Sequence, residues 1–298
     1  MDKKVSFLNQ FSAIRHFLKG DMFSRRQREG QHFLLHTPTL ERIVDSAEIG
    51  ENDFVLEIGS GPSNLTLFLI ERAKFVLAVE KDCRFKDLHK SLFKENPPIR
   101  FIYEDILKMD IDKLNEFIPA GYPLLNSNWK VVGNIPYNIT TPLITMLVSP
   151  PFNFATLTFL VQKEVAERIV SKPNSKKYGI MSIRVQYFYQ PEVKFSIKPE
   201  MFSPPPQITS SLLHLRQKLK LPFDNTEDQR KFFHLIEAVF RKRRKTLLNG
   251  IMESGLIFKS REEVAKSIES IKINPTKRPE ALSLDDFVKI FSSLFLND

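Results

Sequence analysis

The run VVGNIPYN, residues 131–138, leaves an apolar stretch through a glycine and then sets Asn134, Pro136 and Tyr137 side by side. An asparagine carbonyl and the neighbouring Ile135 backbone carbonyl can together accept the two hydrogens of an exocyclic amine. An aromatic ring such as Tyr137 can lie on a purine face, a contact worth about 1–3 kcal/mol. Pro136 fixes the backbone between them. The amine of adenine is a poor nucleophile because its lone pair is delocalised into the ring, so holding it in line with an electrophilic carbon is a real catalytic service. A plain tight turn would use the same residue types. The turn and the pocket can be one object, with Asn134 and Tyr137 as the candidate catalytic pair.

A second cluster, EIGSG at 57–61, sits where an apolar run passes into a helical one. Glycines at such a junction let the backbone turn tightly and approach a ligand. Glu80 closes the next apolar run, where a carboxylate can accept both hydroxyls of a ribose, and Asp105 closes the one after it. Together they outline a nucleoside site. A dinucleotide fingerprint needs a third glycine where this chain has Asn64, and Pro62 lacks the amide a phosphate would want. S-adenosylmethionine carries no phosphate, so the pattern favours methyl transfer over hydride transfer. A nicotinamide-dependent oxidoreductase stays open as the rival that Asn64 opposes. Glu57 reads equally as an acid bracing the loop and is left outside the cofactor set.

These residues need a scaffold that brings strand ends to one rim. Apolar runs at 53–59, 75–80, 99–105, 130–135 and 155–162 alternate with helical patterns at 64–73 and 83–95 and after Gln162. Nearly continuous apolar strands alternating with helices predict a parallel sheet covered on both faces, an α/β domain. Strands at 191–198 and 209–217 follow, separated by MFSPPPQI, which cannot be helix. Beyond a boundary near residue 218 the pattern is helical at 227–249, 260–271 and 283–295. At the start, Val5, Leu8, Phe11, Ile14 and Leu18 recur at helical spacing, while Asn9, Gln10 and Arg15 interrupt the apolar run of a secretory signal. That predicts an ordinary surface helix or a poorly ordered extension.

The chain has 298 residues, 42% hydrophobic and 27% charged, with a formal charge of +9. No apolar stretch approaches the ~18–20 residues of a membrane helix. The single cysteine, Cys83, excludes an internal disulfide and a CxxC metal module. His32 and His36 stand at helical metal-ligand spacing but lack a third ligand, so no metal is expected. Excess positive charge points to a polyanionic partner, and RKRRK at 241–245 concentrates it. Arg241, Arg243 and Arg244 are the candidate phosphate contacts, against the alternative of a solvated helix face.

In combination, GQHFL (30–34), EIGSG, VEKD (79–82), YEDIL (103–107), GNIPYN and FSPPP (202–206) stand in an order that resembles the KsgA-type small-subunit rRNA adenine dimethyltransferases. QKEVAERIV, NSKKYGIMSI and FRKRRKTLLN extend the likeness from about Arg25 to the C-terminus. The resemblance implies a Rossmann-like class I methyltransferase domain over 25–217, a helical RNA-binding domain over 218–298, and an extension of unknown role over 1–24. It implies S-adenosyl-L-methionine as cofactor, on His32, Leu34, Gly59, Glu80, Asp105 and Asn134, with Asp105 at the adenine amine and Glu80 at the ribose. The substrate implied is a pair of adjacent adenines in the 3′-terminal hairpin of small-subunit rRNA, each dimethylated at N6. Ile135, Pro136 and Tyr137 would contact the extruded base, and Phe202 would cover its second face. A cytoplasmic monomer acting on rRNA or an assembling small subunit, away from membranes, completes the picture. Two rivals remain: a resistance-type methylase of large-subunit rRNA, and a non-catalytic RNA-binding assembly factor. Ser63 stands where the family's loop carries glycine or alanine, and its small size predicts that the loop survives.

Overall fold

The computed structural model describes residues 3–19, 31–94, 97–110, 114–120, 129–241 and 245–296, with the side chains of 3–6 excepted. Its strands are β1 (Phe33–Leu34), β2 (Phe54–Ile58), β3 (Phe75–Val79), β4 (Ile99–Ile102), β5 (Trp129–Asn134), β6 (Thr156–Gln162), β7 (Tyr189–Ile197), β8 (Phe202–Ser203) and β9 (Ser210–Gln217). Seven of them form one sheet in the order β4-β3-β2-β5-β6-β9-β7. The pairs β2–β3, β2–β5, β3–β4 and β5–β6 are parallel, and β9 returns antiparallel to β6. All five residues of β2 and of β3 are buried, the two-sided burial that their unbroken apolar sequence requires. Chain order reverses beside β2, whose neighbours β3 and β5 lie on opposite sides. In open α/β sheets such a switch point is where ligands bind, outside the carboxyl ends of the strands.

The helices are α1 (Lys3–Lys19), α2 (Thr37–Ser46), α3 (Thr66–Ile70), α4 (Lys86–Leu92), α5 (Thr140–Leu147), α6 (Lys163–Ile169), α7 (Ile180–Phe188), α8 (Thr226–Arg241), α9 (Leu247–Met252), α10 (Arg261–Ser270) and α11 (Leu284–Phe295). The chain divides into two compact units, one of residues 1–166 with 192–217, the other of 167–191 with 218–298. Thus the segment 167–191 groups with the C-terminal helices, whereas the sequence places it with the sheet domain.

In the first unit α1 is neither a surface helix nor a loose extension. Phe11, Ile14 and Leu18 are buried in the core. Phe7 meets Phe68 of α3 edge-on with centroids 4.9 Å apart, and the Gln10 amide donates to the Leu92 carbonyl at the end of α4 at 2.8 Å. The partners of this face come from far along the chain, so local spacing could reveal the helix but not its packing.

The second unit is built on aromatic packing: Tyr187 meets Phe188, Phe232 and Phe233, and Phe291 meets Phe223 and Phe232. Its helices α10 and α11 open with reciprocal caps, Ser260 with Glu263 and Ser283 with Asp286, which satisfy otherwise orphaned amides. The helical run expected over 227–249 is divided, since Thr246 caps a new helix, α9.

Candidate active site

The carboxyl ends of β2, β3, β4 and β5 surround a cavity of about 430 Å³, within the range of small-molecule sites. His32, Leu34, Gly59, Glu80, Asp105 and Asn134 all line it, and so do Ile135, Pro136 and Tyr137. The sheet explains this convergence. Gly59 follows β2, Glu80 follows β3, Asp105 lies beyond β4, and Asn134 ends β5.

Glycine is required where the wall is tightest. A Cβ at Gly133 would lie 2.5 Å from the Ile58 carbonyl oxygen, so only glycine lets β5 pass β2 there. Gly59 and Gly61 have φ of 74° and 50°, in the left-handed region that glycine enters without penalty. Ser63 shares that region at φ 70° with a Cβ, is fully buried, and its hydroxyl has no partner among the described residues.

Glu80 binds the loop as well as lining the cavity. One carboxylate oxygen accepts the Gly61 amide at 2.7 Å and the other accepts the Asp82 amide at 2.7 Å. Burial raises its pKa, opposed by those amide bonds. Asp105 accepts from the Leu107 amide at 3.1 Å and pairs with Lys81 at 3.0 Å, and the Lys81 bond holds its carboxyl below the usual range. Glu57 is buried beneath the loop, where its carboxyl group accepts the Thr66 hydroxyl at 2.7 Å. It does not line the cavity.

Two side-chain amides fasten the N-terminal wall. Asn64 donates to the Leu34 carbonyl at 2.7 Å and Asn134 donates to the His32 carbonyl at 2.9 Å. The same wall pairs β1 with β8 antiparallel, Phe33 opposite Ser203 and Leu34 opposite Phe202. The His32 ring nitrogen Nδ1 donates to the Pro204 carbonyl at 2.9 Å. The QHFL and FSPPP segments therefore meet in one short pairing. Strands of two residues are too brief for any periodic signal, so the sequence alone did not show it.

Phe202 is where the structure departs from the sequence reading. It is 4% exposed, packs in the core and is not among the cavity's lining residues. Its register partner Leu34 lines the cavity, while the Phe202 ring itself lies in the core behind that wall. Tyr137 stacks on the His32 ring with centroids 5.8 Å apart, and its hydroxyl meets the Ser210 hydroxyl at 2.7 Å. Burial raises the pKa of that phenol. Arg241 ends α8, exposed, in the second unit, while Arg243 and Arg244 lie outside the described residues. Among the described residues there is no cluster of three or more metal-ligating side chains.

Sequence reasoning missed Ser60 and Asn64. Both are more than nine-tenths buried and line the cavity, and the Ser60 hydroxyl and Asn64 carbonyl oxygen lack partners among the described residues. Asn64 was legible only as an absent glycine. Unpaired polar atoms on the wall of a cavity fit a ligand that brings its own hydrogen-bonding groups.

The sequence model of ribosomal RNA adenine dimethylases matches residues 22–295. The ribosomal RNA small subunit methyltransferase A of Streptococcus thermophilus (strain CNRZ 1066) is 36% identical over 286 residues, covering 95% of this chain and 97% of that protein. Among solved structures, a dimethyladenosine transferase from Plasmodium falciparum superimposes with a TM-score of 0.71 at 24% identity, over 86% of this chain and 94% of that one. The 23S rRNA methyltransferase ErmE gives 0.65 at 22% identity, over 88% and 99%. These two structures share the fold.

Proposed function

The chain belongs to the ribosomal RNA adenine dimethylase family, and from that membership we propose that its cavity transfers methyl groups to N6 of adenine in small-subunit rRNA. The methyl donor is S-adenosyl-L-methionine. Two adjacent adenines of the 3′-terminal hairpin are the targets, each taking two methyl groups. The observation that carries this reading is the convergence of Glu80, Asp105 and the Asn134-Ile-Pro-Tyr turn on one 430 Å³ cavity.

The wall suits the donor: Glu80 would hold its ribose, Asp105 its adenine amine, and Gly59, His32, Leu34 and Asn134 the remaining contacts. When bound, S-adenosylmethionine supplies an electrophilic methyl carried on positive sulfur. Asn134 has one amide donor committed to His32, which orients the group and leaves its carbonyl oxygen to accept from the substrate amine. The Pro136 carbonyl is taken by the Ile139 amide and the Thr140 hydroxyl, at 3.1 and 3.3 Å. Ile135 therefore supplies the second acceptor. Tyr137 offers a ring to the extruded base, steadied by His32 and Ser210. The proton released from N6 passes to water.

Arg241, Arg243 and Arg244 would hold rRNA phosphates, supported by their place in a five-cation run of a chain carrying +9. No helix among the described residues is long and apolar enough to cross a membrane. Action as a metal-free monomer in the cytoplasm accords with an rRNA substrate. Transfer of label from S-adenosylmethionine to purified small-subunit and large-subunit particles tests the reading. Label in the small subunit supports it; label confined to the large subunit, or tight RNA binding without transfer, overturns it.

A further inference from the structure

His89 is nearly absent from the surface, at 2% exposure, yet takes no part in the site as described above. It lies on α4, with its ring stacked on Phe101 at 4.2 Å and flanked by Phe85 and Tyr103 at 6.1 and 5.8 Å. Both ring nitrogens are engaged. Nε2 is 2.7 Å from the Gly61 carbonyl oxygen and Nδ1 is 2.9 Å from the Tyr103 hydroxyl. A carbonyl oxygen can only accept, so Nε2 carries the proton and donates to Gly61. In the neutral ring Nδ1 then accepts from Tyr103. Burial pushes the imidazole down to about 4, with the Gly61 bond opposing. The ring is therefore neutral at neutral pH.

Gly61 is thereby held from both sides. Its amide donates to Glu80 Oε2 and its carbonyl accepts from His89. These bonds flank a residue whose left-handed backbone would otherwise be free to relax, since glycine has no side chain to anchor it. The Glu80 oxygen that receives the Gly61 amide belongs to the carboxylate assigned above to the donor's ribose. A shift of Gly61 would move that oxygen's partner and the Ser60–Gly61 wall of the cavity together.

We propose that His89 is a positioning residue for methyl transfer: through the Gly61 carbonyl it fixes the glycine loop, and through the loop the Glu80 carboxylate, in the geometry that receives the methyl donor. The inference rests on reading the cavity as the donor's site. Its effect falls on donor affinity and spares the alignment of the substrate amine, because Asn134 and Tyr137 make no hydrogen bond or ring contact with His89. The ring also borders a second cavity of about 270 Å³, so a side chain of similar size can replace it without overpacking.

The test compares the wild type with His89→Leu, His89→Gln and Tyr103→Phe. Calorimetry measures S-adenosylmethionine affinity, and single-turnover methylation at saturating donor measures the rate. Glutamine can still donate to Gly61, and leucine cannot. His89→Leu is expected to weaken donor binding about tenfold while the saturated rate stays within about twofold, and His89→Gln to recover most of the loss. Tyr103→Phe, which frees Nδ1, should cost roughly threefold, and that cost should vanish in the His89→Gln background. Equal losses in the leucine and glutamine variants would reduce His89 to packing and overturn the inference. Should His89→Leu fail to fold, the glutamine and Tyr103→Phe pair still decides: additive losses overturn the proposal and non-additive ones support it. Intact wild-type binding with unaltered variants would sink the inference alone, whereas no wild-type binding would sink the reading of the cavity with it.

Discussion

Asn134 donates its side-chain amide to the His32 carbonyl oxygen at 2.9 Å, joining the end of β5 to the segment that pairs with β8. His32 in turn stacks on Tyr137 and binds the Pro204 carbonyl. The proposed catalytic turn is thus braced by a wall far from it in sequence, and its parts should fail in order. Asn134→Ala removes both the proposed acceptor for the substrate amine and the tie to His32; loss of a positioned polar group at a reacting centre costs about 10²–10³ in rate. Tyr137→Ala should lose less, and Tyr137→Phe should keep most turnover, giving up only the bond to Ser210. Single-turnover methylation at saturating donor measures this order. Equal loss in Tyr137→Phe and Tyr137→Ala would assign chemistry to the hydroxyl and contradict stacking.

Glu80 carries two backbone amides as well as the proposed ribose contact, so Glu80→Ala should disturb the loop and the donor together. Charge-assisted hydrogen bonds contribute about 1.5–3 kcal/mol, so S-adenosylmethionine affinity should fall at least tenfold. Titration calorimetry showing unchanged affinity would remove Glu80 from the site.

Ser63 occupies a left-handed backbone position with a buried hydroxyl lacking a partner among the described residues. An L side chain pays about 1–2 kcal/mol there, partly offset in a glycine variant by the greater freedom of its unfolded chain. Ser63→Gly should therefore raise stability by roughly 0.5–1 kcal/mol. Donor affinity should hold, since Ser63 does not line the cavity. Urea unfolding that shows the glycine variant to be less stable would mean the hydroxyl has a role the loop depends on.

Glu57 has its pKa raised to about 8, chiefly by burial, with the Thr66 bond opposing and the Glu80 charge adding. The folded chain thus keeps a proton that the unfolded chain releases near the ordinary carboxylate value. That contribution to stability is whole below about pH 4.5 and is lost as pH climbs to about 8. Glu57→Gln keeps an acceptor for Thr66 and never ionises. Its stability relative to wild type should be near parity at pH 4 and improve toward pH 8, with a slope of at most about 1.4 kcal/mol per pH unit. Denaturant unfolding of both proteins at pH 4, 6 and 8 measures the difference; a difference independent of pH would contradict the buried acid's protonation.

The strands were legible because parallel strands buried on both faces read as unbroken apolar runs, and their ends named Glu80, Asp105 and Asn134. What stayed hidden depended on distant partners. The face of α1 meets Phe68, the two-residue pairing of β1 with β8 has no period, and a lone histidine on α4 gives no sign that it reaches Gly61. Phe202 shows the converse: a motif position can be right in order while its side chain turns into the core.

The central claim is that the turn at Asn134 presents the exocyclic amine of adenine, and no other atom, to the methyl donor. Nucleoside mass spectrometry of small-subunit rRNA, after incubation with labelled S-adenosylmethionine, tests this most directly. The account predicts N6,N6-dimethyladenosine, preceded by N6-methyladenosine at early times, with both lost in Asn134→Ala. Label on a ring nitrogen, on ribose or on a base other than adenine would contradict it.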